Sequence, residues 1–180
     1  MKLKTSFILC SIIAMMSSPV CAANAVWDLY AGASIGVGAE TIFADDDNDT
    51  KATQSFGAMF GIDLPAFRVE VEYNRLSNSD NYTNLAIANL YFKMPATVIK
   101  PYVGLGAGIM FGGENEKYDV DLKTTGAYQG MVGVTLGVPS LPFKFDIEGR
   151  VLYLPDVAKF AGIEPDILHY DARVKIRYLF

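Results

Sequence analysis

The chain is poor in the residues that small exported domains and enzymes usually rely on. Cysteine occurs twice, at Cys10 and Cys21, and histidine once, at His169. A disulfide framework is therefore nearly excluded, and acid–base chemistry that needs an imidazole has a single candidate. After residue 25 no apolar run approaches the roughly 20 residues of a membrane helix, yet 51% of the chain is hydrophobic. Those residues recur with period two rather than at helical spacing, which points to strands. If such a chain lies in a membrane, only a closed barrel satisfies its backbone.

Both cysteines fall in the first 25 residues, which read as a secretory signal peptide. Lys2 and Lys4 form a basic start, Phe7 to Met16 an apolar centre, and Ala23-Asn24-Ala25 a small-residue cleavage site. Cleavage after Ala23 competes with cleavage after Ala25, and either removes Cys10 and Cys21. A lipidated Cys21 is disfavoured, because Ser18-Pro19-Val20 lacks the Leu and small residues that precede such a cysteine. The remaining stretch, 26–180, is the length of one domain. Losing Lys2 and Lys4 from 15 basic residues leaves 13 against 20 acidic ones, a net charge of about −7 that argues against nucleic acid as a partner.

The clearest strand is the last. Ala172, Val174, Ile176, Tyr178 and Phe180 alternate with charged residues until Leu179, giving one oily and one ionic face. Seven more strands are expected upstream, from about Val26 to Ala39, Thr53 to Leu64, and around Phe67–Asn74, Ala86–Lys93, Tyr102–Phe111, Tyr128–Leu136 and Phe143–Tyr153. Long polar connections are expected at Thr41 to Ala52, Ser77 to Thr83, Gly112 to Lys123 and Leu154 to Leu168. They alternate with short ones bearing Pro65, Pro95, Pro139 and Pro142. Long loops at one end and tight turns at the other mark a transmembrane barrel. Trp27, Phe67, Phe92, Phe143 and Phe180 fall at the short-turn ends of the oily faces, and Tyr73, Phe111, Tyr128 and Tyr153 at the loop ends. Such paired girdles suit a bilayer. Phe143 to Tyr153 spans about 25 Å vertically at roughly 3.3 Å per residue and a tilt near 40°. A soluble lipocalin-like barrel would turn its oily side inward instead.

The closing strand with its terminal aromatic resembles the last strand of bacterial outer-membrane barrels, whose C-terminal signal is read by the barrel-assembly machinery; Tyr178 and Phe180 carry it here. Together with Lys100-Pro101-Tyr102-Val103-Gly104-Leu105-Gly106, it makes the pattern from residue 26 similar to the eight-stranded family of the OmpA transmembrane domain, OmpX-type proteins and opacity-type adhesins. The resemblance implies an all-β, up-and-down antiparallel barrel exported to the outer membrane and seated among outer-membrane lipid and lipopolysaccharide. It implies no cofactor and a structural, surface-antigen or adhesive role, with host surface or matrix proteins as candidate partners of the four loops. No peptidoglycan-binding domain is expected after the eighth strand. Members of the family include enzymes on the same scaffold, so activity follows only loosely.

An eight-stranded interior is only wide enough for side chains. Inward charges on the third, seventh and eighth strands should therefore pair into a network: Arg68, Glu70, Glu72, Lys144, Asp146, Glu148, Arg150, Arg173, Lys175 and Arg177. Inward Gly32, Gly36, Gly57, Gly61, Gly104, Gly106, Gly108 and Gly133 leave room for them or ease strand bending. An envelope hydrolase would use His169 with Asp171 or Asp166, but no nucleophile motif accompanies it, so no catalytic residue is assigned. Asp45-Asp46-Asp47-Asn48-Asp49 lacks the Gly and distal Glu of a calcium loop and reads as solvated.

Overall fold

A computed structural model describes residues 27–44, 47–78, 81–94, 99–115, 120–121, 124–137, 141–155 and 166–180. The expected signal peptide, Asp45 and Asp46, and most of the expected fourth loop lie outside these residues. Eight barrel strands run in chain order: β1 (Asp28–Ala44), β2 (Asp47–Asp63), β3 (Phe67–Ser77), β4 (Asn81–Lys93), β5 (Ile99–Asn115), β6 (Thr125–Gly137), β7 (Phe143–Leu154) and β8 (Asp166–Leu179). A two-residue piece, Val120–Asp121, pairs with Glu114 and Asn115 beyond the barrel.

Each strand pairs antiparallel with its neighbour in sequence, and β8 closes onto β1 from Tyr30↔Leu179 to Phe43↔Asp166. Closure leaves no unpaired strand edge in the wall. The Pro65–Ala66 turn is held by Leu64 N donating to Phe67 O at 2.9 Å. Its proline lacks an N–H and sits where the ladder needs none.

The alternation in β3, β7 and β8 becomes strict one-in, one-out burial. Val69, Val71, Phe145, Ile147, Val174 and Ile176 are exposed on the outer wall, whereas Arg68, Glu70, Glu72, Asp146, Glu148, Arg173 and Lys175 are buried in the lumen. This polarity is the reverse of a lipocalin-like barrel. Trp27, Phe67, Phe92 and Phe143 stand exposed at the tight-turn end, and Tyr73, Tyr128, Tyr153 and Tyr170 toward the loop end.

The strands run further than the sequence pattern indicates. Most of the expected loop from Thr41 to Ala52 is paired strand, with Glu40↔Lys51, Thr41↔Thr50 and Ala44↔Asp47 in register. β5 likewise extends to Asn115, into the expected loop from Gly112 to Lys123, and β4 begins at Asn81 within the one from Ser77 to Thr83. Beyond an apolar band both faces of a hairpin are wet, so nothing maintains the alternation even though backbone pairing continues.

Candidate functional site

Among the described residues the lumen concentrates the charged and polar side chains, and these are buried. From the tight-turn end upward, Asp63 on β2 comes first. It accepts from Lys93, from Lys144 Nζ at 3.0 Å and from Arg177 Nη1 at 3.3 Å. Asp146 lies above it, receiving Arg177 through Nε at 2.7 Å and Nη2 at 2.8 Å, and Arg68 Nη1 at 3.0 Å. The two-pronged contact from Arg177 is the geometry a planar guanidinium favours.

The middle layers join Lys175 Nζ to Glu70 at 3.3 Å and to Glu148 at 3.0 Å. Higher still, Arg173 Nη1 donates to Glu72 at 2.6 Å and Nη2 to Asp171 at 2.8 Å, while Arg150 Nη2 reaches the same Asp171 at 2.7 Å. The expected interior residues thus converge. Lys144 stands at the mouth, and Asp63, Lys93 and Asp171 complete the network. Every buried carboxylate of the described lumen has a cation beside it, as charges withdrawn from water require.

Three tyrosines that charge counting overlooks bind these carboxylates. Tyr30 and Tyr91 donate to Glu70 at 2.7 and 2.9 Å, and Tyr102 donates to Glu148 at 2.9 Å. Each faces a glycine across the ladder: Tyr30↔Gly61, Tyr91↔Gly104 and Tyr102↔Gly133. A Cβ on Gly61 would lie 2.6 Å from the Tyr30 hydroxyl, and one on Gly133 2.6 Å from the Tyr102 hydroxyl. Several inward glycines therefore make room for aromatic rings. Gly36, whose Cβ would lie 2.9 Å from the Arg173 side chain, makes room for a charged chain instead. The signal, an inward Tyr opposite an inward Gly, emerges only once the register of neighbouring strands is known. Arg68 lies over two of these rings, 3.9 Å from the Tyr91 centroid and 4.9 Å from that of Tyr102.

The continuous ion-pair network ends at Asp171, and nearer the loop end only Glu40 and Lys51, opposite one another in the ladder, carry charge on the inward face of the described barrel strands up to that level. Above Asp171, toward the loop end, Leu76, Leu85, Ile87, Met110, Ala127, Leu152 and Leu154 form one buried cluster inside the barrel, with Ile167 packed against it. His169 stands at the boundary, opposite Leu152, with Nε2 2.7 Å from Thr53 Oγ1. Its Nδ1 has no hydrogen-bond partner among the described residues. Neither acid proposed to orient it does so. Asp171 is held by Arg150, Arg173 and Ser55, and Asp166 accepts from Tyr153 Oη at 2.8 Å on the outer wall.

At the opposite end, the Tyr178 ring meets Phe143 at 5.2 Å and Phe180 at 5.3 Å between centroids. Phe180 N donates to Leu29 O at 2.9 Å, and Leu179 N to Pro142 O at 2.8 Å, so the backbone is tied down to its last residue. Among the described residues no group of His, Cys, Asp and Glu is arranged to hold a metal ion.

Neither a protein-family model nor a curated protein sequence matches the chain. Solved structures do. Neisserial surface protein A aligns over 84% of this chain and 97% of its own with a TM-score of 0.65 at 16% identity. The N-terminal β-barrel domain of Pseudomonas aeruginosa OprF covers 82% of this chain and 97% of its own with a TM-score of 0.51 at 12% identity. Ail, the attachment invasion locus protein of Yersinia pestis, covers 83% and 98% with a TM-score of 0.50 at 13% identity. At such identities the likeness speaks for the fold, and with the closed antiparallel barrel described above it gives this chain the fold of the eight-stranded outer-membrane β-barrels.

Proposed function

We propose that this protein is an integral outer-membrane barrel, exported through its signal peptide, whose role is structural and adhesive or antigenic at the cell surface. The observation that carries this reading is the polarity of the wall combined with the filled lumen. An apolar exterior between two aromatic girdles suits a bilayer, and buried paired charges followed by a leucine-rich cluster in the lumen suit a plugged barrel better than a pore. Recognition then falls to the ends of the long hairpins, with host surface or matrix proteins as candidate partners. The likeness to Ail, an attachment and invasion locus protein, points the same way.

Two measurements test this. The protein should be recovered in the outer-membrane fraction and migrate differently on gels before and after heating; recovery only as a soluble periplasmic protein would remove the reading. Folded protein should also bind immobilised matrix proteins, and a variant with its four hairpin ends shortened should lose that binding while keeping heat-modifiable migration. Delivery to the membrane should depend on the aromatic row at the tight-turn end. Deleting Phe180 should block assembly far more than Leu179→Asp, and equal assembly of the two would show that the closing strand is not read through Tyr178 and Phe180.

A further inference from the structure

Four buried arginines occupy the lumen: Arg68, Arg150, Arg173 and Arg177. A guanidinium presents its Nε–H and one Nη–H side by side along one edge, a fork that matches the oxygens of a carboxylate. Arg150, Arg173 and Arg177 all use that edge in this way. Arg177 places Nε and Nη2 on Asp146 at 2.7 and 2.8 Å. Arg150 places the same two atoms on Asp171 at 3.2 and 2.7 Å, and Arg173 places them on Asp171 at 3.3 and 2.8 Å.

Arg68 departs from this pattern. It donates from Nη1 to Asp146 Oδ2 at 3.0 Å, but its Nε and Nη2 are buried and have no hydrogen-bond partner among the described residues. Both oxygens of Asp146 already take the fork of Arg177. The rings of Tyr91 and Tyr102 approach the Arg68 guanidinium through their faces, which brings no acceptor to its edge.

The charge of the lumen is unbalanced in the matching sense. Its buried carboxylates are six, Asp63, Glu70, Glu72, Asp146, Glu148 and Asp171. Facing them are seven cations, the four arginines and Lys175 with Lys93 and Lys144 at the mouth. Further inward charges up to the level of Lys51 are Asp28, Glu40, Lys51 and Lys100, two of each sign, and they leave the excess unchanged. One positive charge is thus unmatched, and one buried guanidinium has an unmatched edge. Buried charge is retained where it is paired and hydrogen-bonded, and a buried donor without a protein partner calls for a water or an ion. Charge decides between the two, since water would satisfy the N–H groups and leave the excess in place.

We propose that the Nε–Nη2 edge of Arg68 binds a small monovalent anion, a halide, inside the barrel. An interior only wide enough for side chains favours a single-atom anion over phosphate or an organic acid. Arg68 pairs in the ladder with Asp63, on which Lys93 and Lys144 converge, so the site lies next to the tight-turn mouth. Those lysines, with side chains 9% and 23% exposed, draw anions to that entrance.

The test uses the refolded full chain in zwitterionic detergent, unfolded by urea in sodium chloride, sodium bromide or sodium gluconate at equal ionic strength. At a halide concentration ten times its Kd, the folded-to-unfolded ratio should exceed that in gluconate by about elevenfold. Crystals grown in bromide should show an anomalous-scattering peak at the Nε–Nη2 edge of Arg68. Arg68→Lys keeps the charge without the fork and should lose both the halide response and the peak. The peak is read on the unmodified chain, so it decides the matter even if the variant fails to fold. No bromide at Arg68, bromide only beside Lys100 at the mouth, or an equal halide response in Arg68→Lys would each overturn the proposal and leave the edge to water.

Discussion

The two sections of the lumen solve one problem in opposite ways. From Asp63 to Asp171 the interior is ionic, and each carboxylate is matched to lysine or arginine, some across the barrel and some on the neighbouring strand. From His169 upward a leucine-rich cluster takes over on β3–β7, with Glu40 and Lys51 on the inward face of β1 and β2 beside it. The difference shows where specificity and sealing reside. Ion pairs and their tyrosine donors demand one register for every strand, because a slip of one residue would send Glu70 and Lys175 into the lipid. The apolar section tolerates rearrangement and excludes water instead.

The largest expected effect comes from breaking the ionic section at its centre. Lys175→Met leaves Glu70 and Glu148 without the cation they share. Removing one partner of a buried pair typically costs about 3–5 kcal/mol, so urea unfolding in detergent should shift by that amount. Adding Glu70→Gln and Glu148→Gln should recover part of it. No loss in the single variant would mean that water already fills this part of the lumen.

A cut in the apolar section should be somewhat milder. Leu152→Ala removes a fully buried side chain from the cluster and should cost about 2–4 kcal/mol, according to how far the cavity collapses. Conductance separates the sections more sharply than stability does. The unmodified barrel and Lys175→Met should both fail to carry steady single-channel current, because the apolar section still closes the path. Steady currents from Lys175→Met alone would place the seal in the ionic section.

The ionic section was largely legible in the sequence because charge at every second position of β3, β7 and β8 has few readings in an eight-stranded chain. The apolar section was not. Leu76, Leu85, Ile87 and Leu152 occupy inward positions with residues that are also suited to the wall, so period two marks their side of the strand without saying what fills the space. The tight turns were visible through their prolines, whereas the hairpin ends were not, since inward Lys51 and outward Thr50 are both polar and no alternation marks the strand there. Tyr30, Tyr91 and Tyr102 were hidden for another reason: their glycine partners lie on neighbouring strands, and the match appears only once register is known.

Within the ionic section, the tyrosine donors set a finer scale. Tyr102→Phe deletes one hydrogen bond to Glu148, which keeps Lys175. The expected loss is about 1–2 kcal/mol, a donor withdrawn from a charged acceptor that retains a partner. Gly133→Ala should do at least as much harm, because its Cβ would press on the same ring. A neutral Gly133→Ala would show that the ring shifts freely and that the Tyr102 contact is not fixed by packing.

The smallest effect is expected from a double variant at the boundary itself. His169 and Thr53 form a buried pair through one 2.7 Å contact, opposite Leu152 of the apolar cluster. Thr53→Val alone removes that contact and leaves a buried imidazole with neither nitrogen satisfied, a loss of about 1–3 kcal/mol. Replacing both partners by apolar residues of similar size is a different case, because no polar group is then stranded. Thr53→Val combined with His169→Leu should be nearly neutral in urea unfolding, extending the apolar section downward by one layer to meet Asp171 and Ser55. Strong destabilisation of the double variant would show that His169 supports the Arg150–Asp171–Arg173 cluster beneath it, and that the ionic section ends one layer higher than its ion pairs indicate.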